Sequence, residues 1–189
     1  MNVVKAPKEL EEMVDALTKE DILENTYITL AKAGLDRYER CVRERVFDFY
    51  EVLRFKLTDD YWIPLTDAFL TSKGISLDEI WSSAKKPECS MKKVFGQMTL
   101  ITNDTGLFGA VGMLDNELLR FASSVLGDYY ILPSSIHEVI LVPDDGFVEP
   151  ITLKQMVIDV NHAAVEEKEQ LSDSVYRYDA KNGKIEVVA

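Results

Sequence analysis

Residues 98–143 read MTLITNDTGLFGAVGMLDNELLRFASSVLGDYYILPSSIHEVILVP, the densest succession of apolar runs in the chain. The residues that interrupt those runs leave few ways to fold them. Residues 98–102 and 109–114 are β-like and flank Asn103, Asp104, Thr105 and Gly106, residue types that favour a turn, so the pattern predicts a hairpin. Asp115 is placed to cap a following helix. Leu118, Leu119, Ala122, Val125 and Leu126 give that helix one apolar face, and Gly127 ends it. Residues 129–132 and 137–142 then read as two strands around a corner made by Pro133, Ser134 and Ser135, because a proline without an amide breaks pairing there.

Before this stretch, Leu10, Met13, Val14 and Leu17 recur at helical spacing, which predicts a first amphipathic helix opening at Pro7. Thr18 and Asp21 form a capping-box pattern for a second helix ending at Gly34, and a third is expected over 35–45. That third helix would carry Arg37, Arg40 and Arg43 among Asp36, Glu39 and Glu44 as a solvated, ion-paired face. Residues 47–57 and 61–65 read as strands around a turn at 58–60, with short helices capped by Thr66 or Asp67 and by Ser76. Residues 85–93, KKPECSMKK, read as an exposed loop. Beyond the acidic loop DDGFVEP a long helix is expected over 152–170, with Gln155 in a capping box and Leu153, Met156, Val157, Val160 and Ala164 on one face. A hairpin across Lys181, Asn182 and Gly183 closes the chain.

With 189 residues, 47% of them hydrophobic, the chain can bury a core as one domain. The expected fold is α+β: a mainly antiparallel sheet built from hairpins, helices packed on one face, and an N-terminal helical layer over 1–46. Cys41 and Cys89 lie in no paired motif, which argues against a disulfide framework or thiolate zinc site and for reduced thiols in the cytoplasm. No segment has the apolar length of a signal core or a membrane span. The net charge is -12, and residues 96–143 hold only Arg120 against five acidic residues. Such a surface repels phosphate backbones, so nucleic acid is an unfavourable partner.

Several segments together resemble a family of uncharacterised bacterial proteins known only as a domain of unknown function. They are FDFYEV, LTDAFLTSKGISLDEIW, LPSSIHEV after a TN-containing hairpin, and LSDSVYRYD, spanning residues 40–180. In that family the hairpin often continues as Gly-Ala-Ser, whereas here Val111 follows Gly109 and Ala110. The resemblance implies fold and compartment and carries no activity or catalytic residue with it.

The one unusual polar cluster is the 133–138 corner. Ser135 lies two residues before His137 and can share its face, an arrangement that would allow a histidine-activated serine. No GxSxG elbow surrounds either serine. The favoured reading is therefore a corner whose hydroxyls satisfy backbone groups, with His137 hydrogen-bonded at the edge of the core. Asn103, Ser134, Ser135, His137 and Glu138 are the candidate ligand-binding residues, and Ser135 and His137 the candidate catalytic pair. His162, near Asp159 and Glu166, reads as a surface ion pair, and Asp144, Asp145 and Glu149 read as a solvated loop, so no metal and no cofactor are expected. The expected function is non-catalytic binding of a protein or small molecule in the cytoplasm. The alternatives are a hydrolase or transferase using Ser135 and His137, or an acidic regulator acting as a nucleic-acid decoy for a partner protein. From the cysteine and histidine spacing, the melting temperature should stay unchanged on adding reductant or chelator, and thermal denaturation with each additive checks this.

Overall fold

The computed structural model describes residues 8–59, 61–94 and 98–189. Pro7 and Asp60, read above as a helix start and a turn residue, lie outside the described residues. Helices α1 (Lys8–Ala16) and α2 (Lys19–Glu24) open the described chain. Strands β1 (Thr26–Lys32), β2 (Arg43–Val46), β3 (Phe49–Lys56) and β4 (Trp62–Pro64) form a first sheet. Here β3 is central, with β1 along one edge and β2 and β4 sharing the other. Helices α3 (Asp67–Ser72) and α4 (Leu77–Ser83) follow.

The second sheet has six strands in the order β10-β9-β7-β8-β6-β5, with every neighbouring pair antiparallel. Its strands are β5 (Cys89–Val94), β6 (Met98–Asn103), β7 (Tyr129–Leu132), β8 (Val139–Pro143), β9 (Tyr176–Asp179) and β10 (Lys184–Val187). A 3-10 segment, Gly109–Leu114, and helix α5 (Asn116–Leu126) connect β6 to β7, and α6 (Pro150–Ala164) follows β8. The class is thus α+β with antiparallel pairing, as the hairpin patterns imply. Among the described residues no helix is long and apolar enough to cross a membrane.

The alternation of β7 explains the layering. Tyr129 and Ile131 enter a core shared with Leu30 and Phe49 of the first sheet, whereas Tyr130 and Leu132 turn to the other face and meet Leu153 and Val157 of α6. A strand buried on both faces carries no polar alternation, which is why YYIL is apolar throughout. Helices α2, α3 and α4 close the remaining core through Ile22, Leu70 and Ile80 against Leu53 and Phe55. Thr18, Thr66, Ser76 and Asp115 each accept an amide from the first turn of their helix, as read from the sequence.

Several expectations are corrected. Within residues 8–46 the expected helical layer is two short helices followed by two strands, because TYITLAK supplies the β-branched and aromatic residues of a strand, which a capping signal upstream does not reveal. The expected helix over 35–45 is a 3-10 turn, Asp36–Tyr38, and then β2. Its arginines do not form ion pairs among the described residues. Arg37 covers the Tyr38 ring, and Arg43 covers Tyr50 while donating to the Tyr38 carbonyl. The basic loop over 85–93 is largely β5, an edge strand whose Lys92 and Lys93 mask its apolar signal, as charges on exposed edges do. Consequently β6 pairs with β5 and not with 109–114, and the single expected sheet is two sheets, each covered by helices. The last helix stops at Ala164, and Gln155 bonds Asp159 and does not cap. His162 is exposed and makes no ion pair with Asp159 or Glu166; Glu166 pairs with Lys168.

The two sheets are tied by Asp48 in the tight turn between β2 and β3, where Phe47 takes a left-handed conformation at φ 53. Its carboxylate accepts the hydroxyls of Ser172 at 2.7 Å, Ser174 at 3.0 Å and Tyr176. The Phe47 and Phe49 rings meet Tyr176 edge-on at 5.2 and 6.0 Å. These contacts join the FDFYEV and LSDSVYRYD segments. Asp48→Ala should leave three hydroxyls without their acceptor and lower stability by roughly 1–3 kcal/mol. Chemical denaturation of Asp48→Ala, Tyr176→Phe and the double variant checks this, with a non-additive cycle expected.

Candidate functional site

The 133–138 corner is held from three sides. Its first residues pair with the 170–172 segment: the Leu171 amide donates to the Ser134 carbonyl at 3.1 Å and the Ser172 amide to that of Pro133 at 3.0 Å. Ser135 uses its hydroxyl oxygen to accept the amide of His137 at 3.0 Å. The His137 carbonyl accepts the Thr102 hydroxyl at 3.1 Å, and its ring Nδ1 accepts the Phe108 amide at 3.2 Å. That last bond makes Nδ1 the unprotonated nitrogen, so a neutral ring carries its proton on Nε2, which lies 4.0 Å from a Glu169 carboxylate oxygen.

Local sequence explains the clamp. Asn103 is buried and spends its side chain inside its own turn, donating to the Leu107 carbonyl at 2.6 Å while its oxygen accepts Thr105 and the Leu107 amide. This turn delivers Phe108 in a left-handed conformation at φ 57, aiming its amide at His137. At Gly109 the backbone passes so close that a Cβ would lie 2.7 Å from the His137 carbonyl oxygen and 2.8 Å from the Asn103 nitrogen and Thr102 Cα. Only glycine fits that approach.

Behind Phe108 lies Arg54, 3% exposed. Its guanidinium donates to the hydroxyls of Thr29 and Tyr38 and stacks against Phe108 at 4.6 Å and Tyr38 at 5.2 Å. Among the described residues no carboxylate pairs with it, so ring faces and hydroxyls offset its desolvation. For His137, burial pushes the pKa down. Glu169 and Glu138 pull it upward and Arg54 again downward, with burial prevailing. The free thiols are similarly muted: burial raises Cys41 and pushes Cys89 up to about 11.

The structure therefore does not bring Ser135 and His137 together as a nucleophile and its base. The serine oxygen meets the histidine amide, and the ring nitrogen nearest a donor is already occupied. Glu138 is half-buried beside them, and Asn103 borders a separate cleft of about 240 Å³ with Tyr27, Trp62 and Lys56. Ser134 is placed differently from the other corner residues. Among the described residues it is the one polar residue lining a groove of about 360 Å³ between α6 and the outer face of the second sheet. The other walls are Met98, Leu132, Ile140 and Val142 from the sheet, and Val148, Leu153, Met156, Val157 and Val160 from α6 and its approach. Met98, Met156 and Val160 remain 45%, 52% and 43% exposed, so the helix stripe is wider than the sheet beneath it can cover. Sequence reading missed this surface, although the signal was present in an α6 stripe carrying both Leu153/Val157 and Met156/Val160. Among the described residues no group of three or more histidine, cysteine, aspartate or glutamate side chains could hold a metal. Asp144 instead pairs with Arg177 and accepts the Tyr130 hydroxyl.

A family of unknown function (DUF5688) matches residues 65–180, more than half of the chain, and the chain belongs to that family. The matched range takes in LTDAFLTSKG, LPSSIHEV and LSDSVYRYD, while FDFYEV precedes it. No curated protein and no solved structure matches the chain.

Two outcomes follow from the clamp. Gly109→Ala and His137→Ala should each lower stability, the latter by roughly 1–3 kcal/mol through lost packing and unpaired polar groups, read from denaturation midpoints. Because the folded-state pKa of His137 is depressed, its contribution is complete above the ordinary histidine value near 6.5. It is lost as pH falls through the folded pKa. The drop in wild-type stability between about pH 7 and 5 should be shallower in His137→Ala.

Proposed function

We propose that this member of the family is a non-catalytic binding or interaction protein that receives its ligand in the groove between α6 and the second sheet. The observation that carries the reading is the groove itself. Its volume of about 360 Å³ falls in the range of roughly 300–1,000 Å³ typical of ligand sites, and among the described residues its lining is apolar apart from Ser134. Contiguous exposed apolar surface of this kind costs solubility unless something covers it, and it marks binding sites on soluble proteins.

Hydrolysis or transfer by Ser135 and His137 has less support, because both groups are committed to backbone partners inside the clamp. An acidic decoy role draws only on the net charge of -12. A cytoplasmic location accords with two free cysteines that lie in separate segments.

The folded protein should bind the neutral dye Nile red with a fluorescence increase saturating near one dye per chain, and Met156→Lys or Val160→Lys should abolish it. In parallel, a panel of ester and phosphoester substrates should show no turnover that depends on Ser135. Turnover lost in Ser135→Ala, together with dye binding indifferent to the groove variants, would reverse the assignment in favour of catalysis.

A further inference from the structure

The groove is open along one side of α6, and the residues that edge it there differ from those that floor it. Leu153 and Val157 are buried against the sheet, whereas Met156 and Val160, one helical turn apart, face outward beside them. Such i, i+4 ridges on an exposed flank leave a channel of the kind that another helix fills, with its own ridge lying between α6 and the sheet. Two of the exposed walls are methionines, Met98 and Met156, whose flexible side chains adapt to a partner's surface.

Charge selects among helices. Among the described residues no lysine or arginine lines the groove. The loop leading into α6, whose Val148 lines the groove, carries Asp145 and Glu149, both exposed, and Asp159 is exposed on α6 three residues after Met156. Among the described residues none of these three carboxylates pairs with a lysine or arginine within ion-pair distance. Although Lys154 lies on the same helix, these carboxylates outnumber it, and with a whole-chain charge of -12 they attract cations toward the apolar channel.

We infer that the occupant of the groove is a cationic amphipathic helix of a partner protein, its apolar ridge seated between Met156/Val160 and the second sheet and its basic residues facing Asp145, Glu149 and Asp159. This rests on the groove being the binding surface proposed above and names the chemistry of its ligand. A helix with acidic flanks would meet like charge at the mouth. A neutral apolar molecule would leave the three carboxylates without a role in recognition.

The test uses the full chain and three synthetic 14-residue peptides followed by fluorescence anisotropy. One has leucine at helical spacing with lysine elsewhere, one replaces lysine by glutamate, and one scrambles the leucine–lysine composition so that the helical period is lost. The leucine–lysine helix should bind at least tenfold more tightly than either of the others, with affinity falling as salt is raised. Met156→Lys should weaken it at least tenfold, whereas Ile151→Lys, the same charge change on an exposed part of α6 outside the groove, should alter it less than threefold. Glu149→Gln with Asp159→Asn should flatten the salt dependence, with circular dichroism showing each variant folded.

Equal binding of the scrambled peptide, or equal loss in Ile151→Lys and Met156→Lys, would overturn the inference by showing charge attraction without a seat. Nile red bound in the groove with no preference among the peptides would overturn it while leaving the binding-protein reading intact. Failure of dye and peptides alike would remove both. A chain that is dimeric by light scattering and becomes monomeric in Met156→Lys would assign the groove to a second copy and overturn the inference.

Discussion

The close passage of the Gly109 backbone beneath the His137 carbonyl is the contact from which most of this architecture follows. It requires a residue without a Cβ at 109 and brings the 3-10 segment against the corner before β8. It also places the left-handed Phe108 where its amide can meet an imidazole nitrogen. The elements on either side are then fixed in register. Thr102 at the end of β6 bonds the same histidine's carbonyl, so β6 and the corner leading into β8 are aligned before their ladder from Thr99↔Leu141 to Ile101↔Val139 is counted. In three dimensions the side chains of this cluster bond the backbone of neighbouring segments at the entry to β8.

Phe108 also transmits this arrangement to the first sheet. Its ring covers Arg54 and meets Trp62 edge-on at 5.2 Å, so the clamp and the first sheet share one aromatic wall. Arg54 has no carboxylate partner among the described residues, which makes its stability depend on ring faces and on the hydroxyls of Thr29 and Tyr38. Removing any of these would leave a charge with little compensation, a larger penalty than the loss of one neutral hydrogen bond. The Asp48 carboxylate does the converse at the far end of β3, where one anion gathers three hydroxyls from the segment entering β9. The two sheets are thus joined at both ends of β3, by a cation under Phe108 and an anion under Tyr176.

Legibility in the sequence followed the range of the interactions involved. Caps at Thr18, Thr66, Ser76 and Asp115 act within one helical turn, and each was readable from residue type and spacing. The strands TYITLAK and CSMKKV were not, because what makes them strands is a neighbour far along the chain: β3 for the first, β6 for the second. A capping box upstream of Thr26 and lysines in an edge strand spoke locally for other structures, and tertiary pairing overrode them. The run 109–114 has apolar residues suited to a strand, yet Gly109 and Gly112 both lie where a Cβ would collide. Against Gly112 the nearest atoms would be Ile101 at 2.5 Å and Cys89 at 2.7 Å, and no single-segment pattern reports such proximity. At the site, the backbone hydrogen bonds of Ser135 and of the His137 ring were legible from residue type and strand context. The groove was not, since it arises only when α6 is laid across the sheet.

A helix stripe built from Leu153, Met156, Val157 and Val160 is wider than the contact one sheet face can make with a cylinder, so laying α6 on β7 and β8 buries two of these residues and leaves two beside an open channel. Met156 and Val160, about half exposed, gain less from burial than Leu153 and Val157 and leave apolar surface open to association. This exposed apolar pair lines the channel together with Ser134, and that juxtaposition is what supports the proposed binding role. Frame and groove meet at Ser134: its carbonyl accepts the Leu171 amide, and the residue lines the groove.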